Sequence, residues 1–264
     1  FLIIELNILK LKCLGFGAFF LSLSPKIMIM KAMIFAAGLG TRLAPFTNDR
    51  PKALVEVAGK PMLQMQIENL VKYGVNYIVI NVHHFADQII EFVKTHDFGI
   101  EIQVSDESEF LLNTGGGLKN VKKYFNPGDN FILHNVDIYS DIDLNQLYSD
   151  HINSGNVVTM AVKHRKSTNY LLFDENLQLC GWKSYKTNSE IIAIPKSKYD
   201  EMAFSGIYVF NYAIFDLMQK EGAFTIIPEL LEIAKTQPIG GWVHDNNVML
   251  DLGKPEALIE CEKL

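Results

Sequence analysis

From Lys31 onward, short apolar runs alternate with segments whose apolar residues recur at helical spacing. That alternation is the pattern of βα units built around a largely parallel sheet. Residues 31–37 read as a buried strand, followed by a glycine turn and an irregular stretch to Pro61. Leu63, Ile67, Leu70 and Val71 then fall on one helical face, with Gly74 as a C-cap. A strand at 77–82, a helix with Phe85, Ile89 and Val93 on one face, a strand at 100–104 and a helix after the glycines at 115–117 continue the rhythm. A strand at 131–136 ends at Asp137. Beyond about Ile152 the rhythm changes to strands at 157–162, 170–173 and 205–210 separated by polar loops, and helices near 226–235 and 255–263 flank a strand reaching Asp251. With no internal repeat or linker, residues 30–264 are expected to form one domain whose halves, 30–152 and 153–264, share a sheet. The expected class is α/β, a Rossmann-like three-layer fold with a central, mostly parallel but mixed sheet.

Composition narrows the function. Of 264 residues, 48% are apolar and 20% charged, which excludes collagen-like and disordered classes. The formal charge of -6 is the wrong sign for a broad nucleic-acid surface, leaving a small anion held by a few local cations. Cys13, Cys180 and Cys261 are scattered, without the spacing of a disulfide framework or a thiolate zinc site, and imply a reducing, cytoplasmic compartment. The apolar leading segment needs separate treatment. Its longest uncharged run, 13–25, is shorter than the roughly 20 residues of a spanning helix, and it lacks an Ala-x-Ala cleavage site. Residues 1–29 are therefore read as an upstream extension before a natural start at Met30, with a signal anchor as the alternative and no membrane partner expected.

The strongest chemical signal follows the first strand: Ala36-Ala37-Gly38-Leu39-Gly40-Thr41-Arg42-Leu43-Ala44-Pro45, then Pro51-Lys52-Ala53-Leu54. Glycines without Cβ let backbone N–H groups approach an anion, and Arg42 and Lys52 add two cations at a strand end. A dinucleotide-binding reading is weaker, because the third glycine of that motif would fall at Leu43 and Pro45 and Pro51 interrupt its helix. His83 and His84 point to opposite faces of a strand end and lack a third ligand, so they are not read as a metal site.

These residues resemble the sugar-1-phosphate nucleotidyltransferases, whose opening signature is a strand followed by Gly-x-Gly-Thr-Arg-x-x-Pro and then Pro-Lys. The likeness is strongest to small members, the muramate-type uridylyltransferases and the mannose- and heptose-type guanylyltransferases. It recurs in order at Leu112-Asn113-Thr114-Gly115-Gly116-Gly117, His134-Asn135-Val136-Asp137, Phe204-Ser205-Gly206-Ile207 and Leu250-Asp251-Leu252-Gly253-Lys254-Pro255-Glu256. The resemblance implies the nucleotide-diphospho-sugar transferase fold and Mg²⁺-dependent transfer of a nucleoside monophosphate from an NTP to a sugar-1-phosphate, in cell-envelope polysaccharide synthesis. It makes Arg42 and Lys52 the catalytic cations and Asp137 and Asp251 the Mg²⁺ ligands, with no general base because the attacking phosphate oxygen is already ionised. It gives Ala36, Ala37, Gly38, Gly40, Thr41, Thr114 and Gly115 to the nucleotide, and Gly116, Asn135, Lys183 and Gly206 to the sugar, small residues leaving room for base, ribose or hexose. UTP is favoured over GTP, although Asn113 stands where a Glu is expected, and the protein is expected to be a monomer or homodimer.

Blander readings stand beside these: Asp137 as a cap on a following helix, Asp251 as a turn residue before Gly253, residues 115–117 as a plain glycine turn, Gly206 as a β-bulge glycine. Two departures from the family pattern also matter. Val136 replaces the usual glycine before the metal aspartate, and the family's sugar-contacting Glu-Lys is matched only by Trp182-Lys183. The rival functions are a non-catalytic sugar-nucleotide sensor on the same fold and a dinucleotide oxidoreductase.

Overall fold

The computed structural model describes residues 30–261. Strand β1 (Met30–Phe35) sends Ala32 and Ile34 into one buried layer and Met33 into another, so both faces of the sheet it starts are covered. After it come the short hairpin β2 (Glu56–Val57) and β3 (Lys60–Pro61), helix α1 (Met62–Lys72), β4 (Val75–Val82), α2 (Ala86–Thr95), β5 (Glu101–Asp106) and α3 (Asn113–Asn120). Then follow β6 (Asn130–Asn135), β7 (Ile138–Ser140), α4 (Leu144–Ser154), β8 (Val158–Lys163), β9 (Asn169–Phe173), β10 (Leu179–Ser184), β11 (Ser189–Ile192) and β12 (Asp200–Asn211). The described chain closes with α5 (Ile214–Leu217), α6 (Ile226–Ala234), β13 (Ile239–Val243), β14 (Met249–Asp251) and α7 (Pro255–Cys261).

Ten strands form one sheet in the order β11-β10-β9-β12-β6-β1-β4-β5, with β8 added beside β12 and β13 beside β8. The strands of the first half pair in parallel, β6 with β1, β1 with β4 and β4 with β5, because helices carry the chain back between them. Hairpins join β9, β10 and β11, so their pairings are antiparallel. The expectation of a mixed central sheet thus holds. Helices α1, α2, α4 and α7 supply one layer, packing Leu63, Ile67, Ile89, Leu147 and Leu258 with Ile34, Ile80 and Ile132. The opposite layer gathers Leu118, Phe125, Phe131, Phe215 and Leu230, with Phe131 stacked on Phe125 at 4.1 Å.

Three local expectations need correction. The glycines at 115–117 lie inside α3 and not before it, because Phe224 O and Leu112 tie down its first turn: Gly115 N donates to Phe224 O at 2.8 Å and Phe224 N to Leu112 O at 3.2 Å. Asp137 caps no helix, since β7 follows it; the capping residue there is Asp143, whose carboxylate accepts from Asn145 N and Gln146 N at the start of α4. The pattern reading also left out α4, β10, β11 and β13. No helix among the described residues is long and apolar enough to cross a membrane. The expectation for residues 1–29 lies outside the described residues.

Candidate active site

The site is assembled where β1 and β6 end side by side, Phe35 opposite Asn135. After β1 the chain turns through Gly40, which adopts the left-handed conformation (φ 69°) that precedes a short 3₁₀ turn, Thr41–Leu43. A Cβ at Gly40 would lie 3.0 Å from both Lys52 Cβ and Thr47 Cγ2, so glycine is needed there for close packing as well. That packing tucks the Lys52 side chain under the loop, with its Nζ at 3.5 Å from where a Gly38 Cβ would stand. Lys52 Nζ then meets Asp137 Oδ2 at 2.8 Å, a pair whose side chains are 15% and 9% exposed.

Asp251 reaches the same place by strand pairing. Strand β14 runs antiparallel to β7 with Asp251 opposite Ile138, the residue after Asp137, and Leu252 N donates to Asp137 O at 2.7 Å. Arg42 bridges the two carboxylates, with Nη1 at 3.2 Å from Asp251 Oδ2 and Nη2 at 3.7 Å from Asp137 Oδ2. Gly253 is the floor of this cluster. A Cβ there would stand 2.6 Å from Arg42 Nη2, 2.7 Å from Asp137 Oδ2 and 2.9 Å from Asp251 Oδ1, so the missing side chain leaves room that both carboxylates face. Asp251 does double duty: its Oδ1 also accepts from Gly253 N at 3.1 Å, so the turn role read from sequence coexists with its place in the cluster. Two hard carboxylates facing a small gap suit Mg²⁺, which takes one or two carboxylates and completes its shell with phosphate oxygens and water. No group of three or more His, Cys, Asp or Glu residues among the described residues makes a self-sufficient metal cage.

A cleft of about 430 Å³ opens beside the cluster, lined by Ala37, Gly38, Gly40, Thr41, Arg42, Lys52, Thr114, Asn135 and Asp137 among the residues expected from sequence. Ala36 is just behind the wall, its N–H donating to Asn81 Oδ1 at 3.0 Å. Gly115 and Gly116 do not line the cleft. Their missing side chains are filled by the chain itself: a Cβ would fall 2.3 Å from Phe224 Cε2 and 2.1 Å from Gly222 O respectively. The Thr114 hydroxyl is engaged as acceptor for Ile226 N at 3.0 Å, joining α3 to α6. Lys183 is also outside the cleft. It is held on β10 by Glu201 at 3.0 Å and lies over the Tyr185 ring, and hydrogen bonding to Tyr185 and then Glu201 raises its pKa. Gly206 (φ 77°) sits where the pairing of β12 with β8 slips, its α-carbon facing Ile138 and the Asn135 amide; the bulge and the wall beside the site are one feature. Val136 turns its side chain into the core and adds nothing beside the carboxylates.

Asn113 and Gly253, present in the quoted motifs, also line the cleft, and so do Asn81, Leu111 and Thr225, which the sequence reading did not single out; Glu107, also missed, braces it. Asn81 Nδ2 donates to Glu107 Oε1 at 3.0 Å, and Leu112 N to Glu107 Oε2 at 3.4 Å, so one buried carboxylate connects the end of β4, and through Asn81 the backbone at Ala36, to the turn before α3. Burial pushes the Glu107 pKa up, against those two hydrogen bonds. Gly117 presses on this pair, its absent Cβ 2.9 Å from Asn81 Nδ2 and 3.0 Å from Glu107 Oε1. A polar residue inside the apolar strand Ile78-Val79-Ile80-Asn81-Val82 was a readable signal, whereas Glu107 looked like part of an exposed acidic run. His83 Nδ1 contacts Glu107 O at 2.6 Å and the His84 ring lies tilted against Phe85, neither in a metal-binding group among the described residues.

The nucleotidyl transferase family profile matches residues 31–264. Over 120 residues the chain is 43% identical to the N-acetylmuramate alpha-1-phosphate uridylyltransferase of Caulobacter vibrioides, covering 44% of this chain and 48% of that protein. Over 195 residues it is 30% identical to the mannose-1-phosphate guanylyltransferase catalytic subunit beta of Dictyostelium discoideum, covering 72% of this chain and 52% of that one. The chain thus spans about half the length of these curated relatives. HddC from Yersinia pseudotuberculosis, solved in complex with GMP-PN, superposes with a TM-score of 0.69 at 26% identity, over 89% of this chain and 99% of that one. A UDP-glucose pyrophosphorylase from Acinetobacter baumanii gives a TM-score of 0.73 at 16% identity over 89% of this chain and 92% of that one, a likeness of fold alone.

Proposed function

The chain belongs to the nucleotidyl transferase family, and from that premise we propose that it transfers a nucleoside monophosphate from an NTP to a sugar-1-phosphate. A phosphate oxygen of the sugar-1-phosphate attacks the α-phosphorus, the bond from that phosphorus to the bridging oxygen breaks, and pyrophosphate leaves as the NDP-sugar forms. The observation that supports this best is the convergence of Arg42, Lys52, Asp137 and Asp251 around the bare Gly253 at the edge of the cleft.

Attack of one polyanion on another is limited by charge, so the work of the site is positioning and electrostatic stabilisation. Lys52, held rigidly beneath the glycine loop, is the cation for the α-phosphate. Arg42, with a side chain 58% exposed, is free to swing from the carboxylates to the leaving phosphates. Asp137 and Asp251 would hold Mg²⁺, which when bound supplies positive charge beside the phosphate oxygens. Arg42 and Lys52 pair with these two carboxylates and balance their charge. No side chain need act as base, because the attacking oxygen carries its charge at neutral pH. These four groups also favour an enzyme over a sensor, which would need to bind nucleotide sugars but not to stabilise a charged transition state.

UTP is the proposed nucleotide, on the likeness of the first half to a relative named as a uridylyltransferase. The test is a grid of four NTPs against several sugar-1-phosphates, read by pyrophosphate release. Turnover with UTP and one sugar-1-phosphate is expected. Turnover only with GTP overturns the base preference, and none with any pair overturns the activity.

A further inference from the structure

Arg165 follows β8 in a polar loop and has no part in the chemistry described so far. Its Nη2 donates to Phe204 O at 2.9 Å, while its Nε is enclosed with no acceptor. A half-buried guanidinium has lost water on one side, and a single carbonyl is poor compensation for a delocalised cation with five N–H donors. The carbonyl it grips belongs to the slipped segment of β12, between Phe204 and Tyr208, which carries Gly206 against Asn135 and Ile138. Burial pushes the Arg165 pKa down and the Asp251 charge pulls it back up, so the guanidinium lies within the field of that carboxylate. The other ionisable groups around it are Tyr170 and His244; the latter's ring is held by Ser205 Oγ at 2.7 Å and kept neutral by burial.

Two cations already serve the NTP side, both from the excursion after β1. The sugar-1-phosphate brings its own charged phosphate, and Lys183, expected to meet it, is tied to Glu201 outside the cleft. Arg165 does not line that cleft either, but unlike Lys183 it grips the β12 segment whose Gly206 lies against Asn135, a residue of the cleft wall. We propose that Arg165 binds the phosphate of the sugar-1-phosphate, reaching it from the β12 bulge beside Asn135, a bulge that fixes the guanidinium through Phe204 O. This rests on the proposed reaction. A planar guanidinium presents paired N–H donors that match two phosphate oxygens, which an ammonium cannot do.

The experiment is steady-state kinetics of the full chain and its Arg165→Gln and Arg165→Lys variants, each substrate varied in turn with the pair the wild type prefers, alongside thermal melts. Arg165→Gln is expected to raise KM for the sugar-1-phosphate by about tenfold or more, the scale of one lost charge-assisted contact, with KM for the NTP and the melting temperature unchanged. Arg165→Lys is expected to show a smaller rise confined to the same substrate, and decides the matter should the glutamine variant fail to fold. Equal rises in both KM values, or an unchanged KM for the sugar-1-phosphate, make Arg165 a brace for the bulge and overturn the proposal. A wild type that turns over no pair refutes the reaction itself, whereas turnover with an unselective Arg165→Gln effect refutes this role alone.

Discussion

Replacing Gly253 with alanine adds one methyl group at the point where the two halves of the site meet. The new Cβ would stand 2.6 Å from Arg42 Nη2, 2.7 Å from Asp137 Oδ2 and 2.9 Å from Asp251 Oδ1, where ordinary contact begins at 3.4 Å. Each neighbour must therefore retreat by roughly half an ångström or more. Arg42 can do so at little cost, since its side chain is 58% exposed, but Asp137 is 9% exposed and pinned by Lys52. Magnesium tolerates little change in its oxygen geometry, and a displacement on the order of 1 Å in a reacting assembly costs about 10²-fold in rate. We expect kcat/KM to fall by about 10²-fold, equivalent to about 2.7 kcal/mol of transition-state stabilisation, with the Mg²⁺ requirement shifted to higher concentration. Stability should barely change. Gly253 is not in the left-handed region, so alanine fits its backbone, and the stiffer unfolded chain returns about 0.4–1 kcal/mol against the local crowding. Pyrophosphate release across a magnesium titration, paired with a thermal melt, reads both quantities. A Gly253→Ala enzyme within about threefold of the parent, with the parent's magnesium dependence, would refute the idea that both carboxylates work across that gap.

Gly116→Ala places a methyl 2.1 Å from the carbonyl oxygen of Gly222, a backbone atom that cannot rotate away, so we expect a loss of about 1–3 kcal/mol in urea unfolding; no measurable loss would mean the segment at 222–224 moves freely. Lys52→Met should leave buried Asp137 with only the longer, exposed Arg42 contact, lowering both turnover and melting temperature, whereas Arg42→Met should lower turnover alone because the Arg42 side chain is exposed; parallel melts of the two variants check this. His151, between Thr159 Oγ1 at 2.8 Å and Asn130 Oδ1 at 3.2 Å, has its pKa lowered by burial from 6.5 to about 4. Its folded pKa lies below its unfolded one, so its contribution is present above about pH 6.5 and lost as the pH falls toward 4. His151→Gln should flatten the stability slope across that window by up to about 1.4 kcal/mol per pH unit, and identical slopes in urea melts would contradict it.

What the sequence made legible was chemistry written locally. Gly38, Gly40, Arg42 and Lys52 stand on one excursion of the chain, so their types and spacing sufficed to place an anion site at the end of β1. Asp251 could be put beside Asp137 only by resemblance, because the contact is made by β14 lying antiparallel on β7, two strands too short to leave an alternating pattern. The glycines at 115–117 were noticed for the right composition, but Gly115 and Gly116 receive Phe224 and Gly222, and Gly117 receives Asn81 and Glu107, residues nothing local connects to them. Lys183 occupied a sequence slot near the expected one, and register then carried it to the Glu201 side of β10. Helix α4 hid behind its polar face and β11 behind full exposure, since an edge strand with no buried side has no period to read. Arg165 gave no signal at all; a basic residue in a Lys-His-Arg-Lys run reads as solvated until its burial is known.

The most direct test follows the α-phosphorus. An NTP labelled at that atom is incubated with its sugar-1-phosphate partner and Mg²⁺, with the parent and with Asp137→Asn, a change that keeps volume while removing the anion. The account predicts that the parent moves the label into NDP-sugar with one pyrophosphate per transfer, that EDTA abolishes this, and that Asp137→Asn lowers the rate by about 10²-fold or more while remaining folded. Label appearing as free nucleoside monophosphate, no transfer with any pair, or an Asp137→Asn enzyme as fast as the parent would contradict it.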